Sequence, residues 1–384
     1  MPTPAASFAH QGPRLVSTWS CPCDCERVSL TRLTIDDLRC IQRAELELHP
    51  RLNLFVGANG SGKTSLLEAV YCLGRGRSFR SRRLATLVRK GADCMRVVGE
   101  AHWQGQTVTL GLEARAGETR LKARGATAAS AAALAEYHRP QVIDPDIHKL
   151  LEEGPGRRRR YLDWGVFHVE PLFLATWQRY HRAIKQRNAV LRARGADPLL
   201  RAWEEEVTVA GEALSLQRLE YLGRLEPVLR EVGERLLGAA ITLDYTRGWA
   251  SKGTLAEALR ADEDRDRRFG ITHSGPHRAD ITTRVDGVAA RDRVSRGQQK
   301  MLAAALVLAQ LKAQGEGHGA GDVLLLDDPA AELDAHHLGR LLELVADLPA
   351  QLWVTSLAGQ VPGLAAEGAM FHVEHGRIRP TATA

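Results

Sequence analysis

No stretch of this chain of 384 residues is long and apolar enough to span a bilayer. The longest apolar run, Met301 to Leu311, is bracketed by Lys300 and Lys312 and falls short of the ~20 residues a membrane helix needs. Residues 1–27 carry Pro, Ser and Thr but no apolar core of signal-peptide length. A cytoplasmic protein without a membrane anchor is therefore expected. Cysteine is scarce, with six in all, and Cys40, Cys72 and Cys94 are scattered, so no disulfide framework follows. Cys21, Cys23 and Cys25 crowd together, but their one-residue gaps differ from the roughly two to four of zinc sites. Charge of one sign is lacking too: 52 Lys+Arg against 46 Asp+Glu give +6, which leans toward a polyanionic partner without demanding one. No internal repeat is present, and no helical stretch is long enough for an extended antiparallel coiled coil.

What is present is globular: 44% hydrophobic and 26% charged residues suffice for a sizeable core and a second module. Residues 1–27 read as a disordered extension, and the texture changes at Val28. Leu30, Leu33, Ile35 and Leu38, then Ala44, Leu46 and Leu48, alternate with polar residues as half-buried strands do. Pro171 to Leu237 instead shows apolar spacing of three and four, a helical module. After the charged run Asp262 to Arg268, strand and helix patterns return from Ile271 to Ile378. The expectation is an α/β head split in sequence, residues 28–155 and 269–384, with a helical arm inserted at 156–268.

Gly57-Ala58-Asn59-Gly60-Ser61-Gly62-Lys63-Thr64 fits the pattern of a P-loop, entered by the apolar strand Leu52 to Val56 and left by Ser65 to Leu73 at helical spacing. The glycines let successive backbone amides and the helix N-terminus face phosphates. These residues and Ser65 form the expected nucleotide-binding set, with Lys63 neutralising β- and γ-phosphate charge and Thr64 ligating Mg²⁺. Val323 to Leu326 reads as a central parallel strand buried on both faces, and it ends in Asp327-Asp328. Asp327 is expected to reach Mg²⁺, and Asp328 to polarise the attacking water as general base. A helix-capping aspartate pair is the plainer alternative, and it leaves so apolar a lead-in unexplained.

Ser295-Arg296-Gly297-Gln298-Gln299-Lys300 looks like an ABC signature and Ala331-Glu332-Leu333-Asp334 like its D-loop. Together with Pro145 to Pro155, Arg159-Arg160-Tyr161-Leu162-Asp163 and Thr272 to Asp280, these segments make the chain resemble the RecF family of ABC-type ATPases, from about Val28 to Ile378. The resemblance implies an ATP-dependent homodimer that binds double-stranded DNA near single-strand gaps, works with RecO and RecR, and helps load RecA. It further implies that Ser295, Gly297 and Gln298 reach the γ-phosphate held by a second copy. Gln141 would then sense Mg²⁺ and the γ-phosphate, and Asp334 would lie in the dimer interface. Glu153 stands where that pattern has glycine. Asp328 replaces the commoner glutamate, and Leu352 to Leu357 lacks a switch histidine. Both departures predict slow hydrolysis, and the resemblance implies that DNA stimulates it.

Arg75, Arg77, Arg80 and Arg82 are candidate DNA contacts, since dense arginine gives sequence-independent binding to phosphates; a solvated charged face is the alternative. Arg157 to Arg160 form a second run that could face phosphates too, but Arg159-Arg160 are expected to brace the head against the arm. His273 and His277 flank Ser274-Gly275-Pro276, which breaks a helix, so a structural or interface role is expected of this loop rather than a metal site. Two rivals remain, a transporter ATPase subunit and an ATP-driven nuclease. The first would bring a switch histidine and a standard signature; the second needs an additional acidic cluster.

Overall fold

Alternating burial of Leu33 and Ile35 makes β1 (Leu30–Leu38) a one-sided strand; left-handed backbone at Asp37 brings Leu38 back to the buried face, and a register shift between Leu30 and Arg32 does the same for Leu30. The computed structural model describes residues 30–103, 105–250, 252–290, 294–315, 321–359, 361, 364 and 367–381. The extension expected at 1–27, with Cys21, Cys23 and Cys25, lies outside the described residues. After β1 come β2 (Ile41–Glu47), β3 (Leu52–Val56), α1 (Lys63–Arg75), β4 (Cys94–Trp103), β5 (Gln106–Arg115), β6 (Glu118–Ala123) and β7 (Ala126–Thr127). Then follow α2 (Ala132–Ala135), β8 (Arg139–Ile143), α3 (Lys149–Glu152), α4 (Pro155–Val169), α5 (Phe173–Ala193), α6 (Asp197–Leu237) and β9 (Ile241–Thr246). The rest comprises α7 (Leu255–Ala261), α8 (Glu263–Phe269), β10 (Asp280–Val285), β11 (Val288–Ala289), α9 (Arg296–Gly315) and β12 (Asp322–Leu326). The chain ends in α10 (Pro329–Glu332), α11 (Ala335–Ala346), β13 (Gln351–Ser356), β14 (Ala369–Glu374) and β15 (Arg377–Pro380).

Two six-stranded sheets sandwich α1: an antiparallel one ordered β2-β1-β4-β5-β6-β7, and a central one ordered β15-β14-β3-β13-β12-β8. In the central sheet β14, β3, β13, β12 and β8 run parallel, and β15 closes it as a hairpin partner of β14. All five residues of β12 are buried, as a parallel strand covered on both faces must be. Val323 and Leu325 enter the core shared with α1 and the antiparallel sheet, while Leu324 and Leu326 enter the core shared with α4, α6, α9 and α11. Phe55 on β3 stacks between Trp353 and Phe371, with centroids 5.3 and 4.9 Å away, and holds three strands in register.

The helical segment is a hairpin of α5 and the 41-residue α6. It is not walled off at residue 268 as the texture suggests. β9 pairs antiparallel with β10 from Ile241↔Val285 to Thr246↔Asp280, so a boundary at 268 cuts a ladder. Leu214, Leu225 and Leu229 of α6 share one core with Met301, Leu302 and Leu306 of α9. Composition marks where helices start, but it carries no sign of a ladder joining strands on either side of two short helices. No helix is long and apolar enough to cross a membrane among the described residues.

Candidate functional site

The carboxyl ends of β3, β12 and β13 meet at one edge of the central sheet, where an open parallel sheet places its ligands. From β3 the chain curls through Gly57 to Gly62 into α1. Gly62 caps that helix at φ 118°, a conformation closed to residues with a side chain. A Cβ on Gly57 would lie 2.1 Å from the Val373 carbonyl oxygen, so only glycine fits against β14. The loop is tied down by Gly57 N–H donating to the Ser356 oxygen at 3.2 Å and Gly376 N–H to the Ser61 oxygen at 2.7 Å. Ala58, Asn59 and Gly60 are its exposed rim, whereas Ser61, Lys63 and Ser65 are buried and Thr64 half-buried.

Lys63 Nζ donates to the carbonyls of Gly57 at 2.7 Å and Ala58 at 3.2 Å and stands 3.6 Å from Asp328 Oδ2. The Thr64 hydroxyl donates to Asp327, 2.9 Å from Oδ2, joining residues far apart in sequence. Thr355, at the end of β13, links both aspartates: its hydroxyl donates to Asp327 Oδ1 at 2.8 Å and accepts from the Asp328 amide at 2.8 Å. Asp328 itself lies at φ 47°, ψ 52°, left-handed backbone that costs a non-glycine residue about 1 kcal/mol or more. Burial raises the Asp327 carboxyl above the usual range; hydrogen bonds from Thr355 and Thr64 act against this, while the Asp328 charge adds to it. Two dissimilar carboxylates thus sit side by side, one hydrogen-bonded and buried, the other partly open beside an ammonium.

The donor set suits a magnesium nucleotide. Ser61 Oγ is buried without a partner among the described residues, the glycine backbone leaves a cradle, and Thr64 and Asp327 offer adjacent hard oxygens. No group of three or more His, Cys, Asp or Glu side chains is poised for a metal among the described residues, so a cation here would lean on few protein ligands.

Gln141 requires a correction. It lies inside β8, level with Leu324 and three residues short of Asp327, buried with its Nε2 unpartnered. Strand register puts Asp144, not Gln141, beside Asp327, whose amide donates to the Ile143 oxygen at 3.0 Å. Burial, reinforced by Asp146, pushes the Asp144 carboxyl up to about 6. Arg75 is corrected as well. Its guanidinium lies 3.2 Å from the Trp164 ring centroid and its Nε donates to the Pro140 oxygen at 3.1 Å, so it is spent inside the fold. Arg77, Arg80 and Arg82 are exposed.

Ser295, Gly297 and Gln298 are exposed where α9 begins, and Ser295 and Gln298 exchange hydrogen bonds of 2.9 and 3.3 Å as a capping box. None of the three hydrogen-bonds to the phosphate loop among the described residues. Asp334 is likewise exposed and caps α11, accepting from the amides of His336 and His337, which hold its carboxyl down at about 2. Arg158 pairs with Asp280 at 2.7 Å and Arg159 donates to the Ala279 oxygen, so this basic run braces α4 against β10. His277 is framed by Tyr180 Oη at 2.6 Å and the Thr272 oxygen at 3.0 Å.

Sequence reasoning missed Thr355 as the joint between the aspartates, and Asp144. The only signal was a polar residue closing each otherwise buried strand. It also missed the anchor of the loop after α1, where buried Glu68 accepts from Arg39 at 2.7 and 3.0 Å and from Ser78.

Residues 29–377 match the RecF/RecN/SMC N terminal domain family. The chain is 40% identical over 365 residues to a DNA replication and repair protein RecF of Pseudomonas fluorescens, covering 92% of this chain and 99% of that one. A RecF of Xanthomonas euvesicatoria is 41% identical over 369 residues, with 92% and 99% covered. Among solved structures, the recombination mediator protein RecF with ATP, from the RecFOR pathway, superposes with a TM-score of 0.83 at 25% identity, covering 93% and 98%. An Smc head domain from Pyrococcus furiosus superposes with a TM-score of 0.54 at 14% identity, covering 92% and 96%, a likeness of fold.

Proposed function

The chain belongs to the RecF/RecN/SMC family, on the RecF side of it, and from that premise we propose that it is an ATP-dependent DNA clamp of replication and repair. The observation that carries the reading is the bond from Thr64 to Asp327, which fastens the phosphate loop to the acidic strand beside Lys63 and Asp328. ATP is bound by the amides of Gly57 to Ser65, with Lys63 exchanging its two loop carbonyls for β- and γ-phosphate oxygens. Mg²⁺, when bound, supplies charge neutralisation at those phosphates, and Thr64 and Asp327 are the residues that would hold it. Asp328 orients a water and accepts its proton as that water attacks the γ-phosphorus and ADP leaves.

One copy provides only half of the site. Ser295, Gly297 and Gln298, exposed and without a hydrogen bond to their own phosphate loop, meet the γ-phosphate of a second copy, and Asp334 lies between the copies. The resulting homodimer holds duplex DNA near single-strand gaps, with Arg77, Arg80 and Arg82 contacting phosphates, and assists RecO and RecR in loading RecA in the cytoplasm. Hydrolysis is slow because the short Asp328 is pinned at its amide by Thr355, and it resets the clamp.

Light scattering and duplex binding, with and without ATP, test this on wild type, Lys63→Met, Ser295→Arg and Asp328→Asn. ATP should dimerise wild type and raise DNA affinity. Ser295→Arg should bind ATP as a monomer, and Asp328→Asn should stay dimeric. Oligomeric state and DNA affinity that ignore ATP in every variant would overturn the clamp.

A further inference from the structure

A cavity of about 570 Å³ opens between the loop after α1, the edge strand β8 and the helices α4 and α9. It is within the ~300–1,000 Å³ of small-molecule sites, and none of the phosphate-loop residues lines it. Its lining unites the two arginine runs of the sequence, Arg77, Arg80 and Arg82 with Arg157 and Arg160. Arg157 pairs with Glu153 at 3.1 Å, while Arg77, Arg80, Arg82 and Arg160 have no ion pair among the described residues. Burial, then repulsion from Arg77 and Arg157, lowers the pKa of Arg160, so these cations crowd one another in want of an anion.

The inner wall is of another kind. Phe79 and Tyr161 contribute ring surface, and Gln141 and Gln310, 3% and 0% exposed, contribute amides. Gln141 Nε2 and Gln310 Oε1 are both unpartnered. A lining that combines a buried donor and a buried acceptor without partners, aromatic surface and unpaired arginines matches a single chemical class. That class is a nucleotide, with a hydrogen-bonding base edge, a flat π-face and a phosphate. The arginine loop is not free to swing away, because Arg39 Nη2 donates to Ser81 at 2.9 Å and Ser78 to the buried Glu68.

We propose that this cavity, which adjoins the phosphate-loop site through Asp144 but is lined by none of its loop residues, is a second nucleotide site, which takes one base and its phosphate, either free or as the unpaired end of a strand. It goes beyond duplex clamping and does not require a dimer. Binding is measured without ATP on the full chain, using a labelled, phosphorylated thymidine trinucleotide, its abasic counterpart, and thymidine monophosphate as competitor. Wild type should bind the trinucleotide at least ~10-fold more tightly than the abasic form. Arg160→Glu should lose both probes, whereas Gln141→Met should lose only the preference for a base, with unchanged melting and unchanged ATP binding in each. Competition by the monophosphate assigns the site to free nucleotides; its failure to compete assigns the site to strand ends. Equal binding of the abasic probe, or wild-type binding by both variants, overturns the proposal. As no ATP is present, that result leaves the clamp reading standing.

Discussion

The phosphate-loop edge and the centre of the helical arm are built from the same residue types and use them oppositely. In the arm, Arg187 is fully buried and donates to Asp266 at 2.6 Å, Thr272 at 2.8 Å and Glu204 at 3.0 Å. Arg218 grips Asp163 through two hydrogen bonds of 2.8 and 3.0 Å and donates to the Pro276 oxygen. Asp266 also accepts from the His273 amide and ring. These charges answer one another and lock the loop from Thr272 to Asp280 onto α5 and α6. At the phosphate loop, by contrast, Lys63 rests on backbone carbonyls, Ser61 Oγ is unpartnered and Asp328 is in left-handed backbone. A closed polar cluster fixes geometry, and an open one keeps its capacity for a ligand.

The contrast can be broken in a definite order. Asp266→Ala should destabilise the fold by about 3–5 kcal/mol by leaving the buried Arg187 with Glu204 as its one carboxylate and the His273 amide without its acceptor, seen as a fall in the denaturant midpoint. Lys63→Met should leave that midpoint unchanged while steady-state phosphate release falls at least ~1,000-fold, about 4 kcal/mol in barrier. If the two exchanged phenotypes, the division into closed and open clusters would be wrong. Thr355→Val, which strands the Asp328 amide, should cost about 1–3 kcal/mol split between melting and turnover. Asp328→Asn with Thr355 intact should affect turnover alone.

Acid sharpens the comparison with the smallest effect. Burial lowers the His277 pKa to about 4 from 6.5, and with Nε2–H given to the Thr272 oxygen, Nδ1 accepts from Tyr180. The folded state then binds fewer protons than the unfolded state, so this contribution is full above pH 6.5 and lost as pH falls toward 4. His277→Gln should flatten that slope in melts followed across this range.

The legible parts were those in which local pattern equals local structure. Leu52 to Val56, apart from Asn53, and Val323 to Leu326 announced their strands because parallel strands buried on both faces read as near-continuous apolar runs. The P-loop announced its own geometry because no other residue type tolerates the backbone at Gly62. Register was not legible: that Gln141 lies three residues below the strand edge, while Asp144 meets Asp327, depends on how β8 slides against β12. Nor was Arg75, whose partner Trp164 lies far along the chain, or the β9–β10 ladder that crosses the boundary expected at 268.

Sheet order has a consequence for how the protein is made. β13 and β12 lie between β3 and β8, yet they emerge from the ribosome long after both. Until then β3, whose partners β13 and β14 are both late, and β8 present unpaired edges, which are templates for pairing with each other or with a neighbouring chain. The nucleotide edge closes only when those late strands slot in, so a truncated chain cannot acquire half an activity. Completion of synthesis is itself the checkpoint.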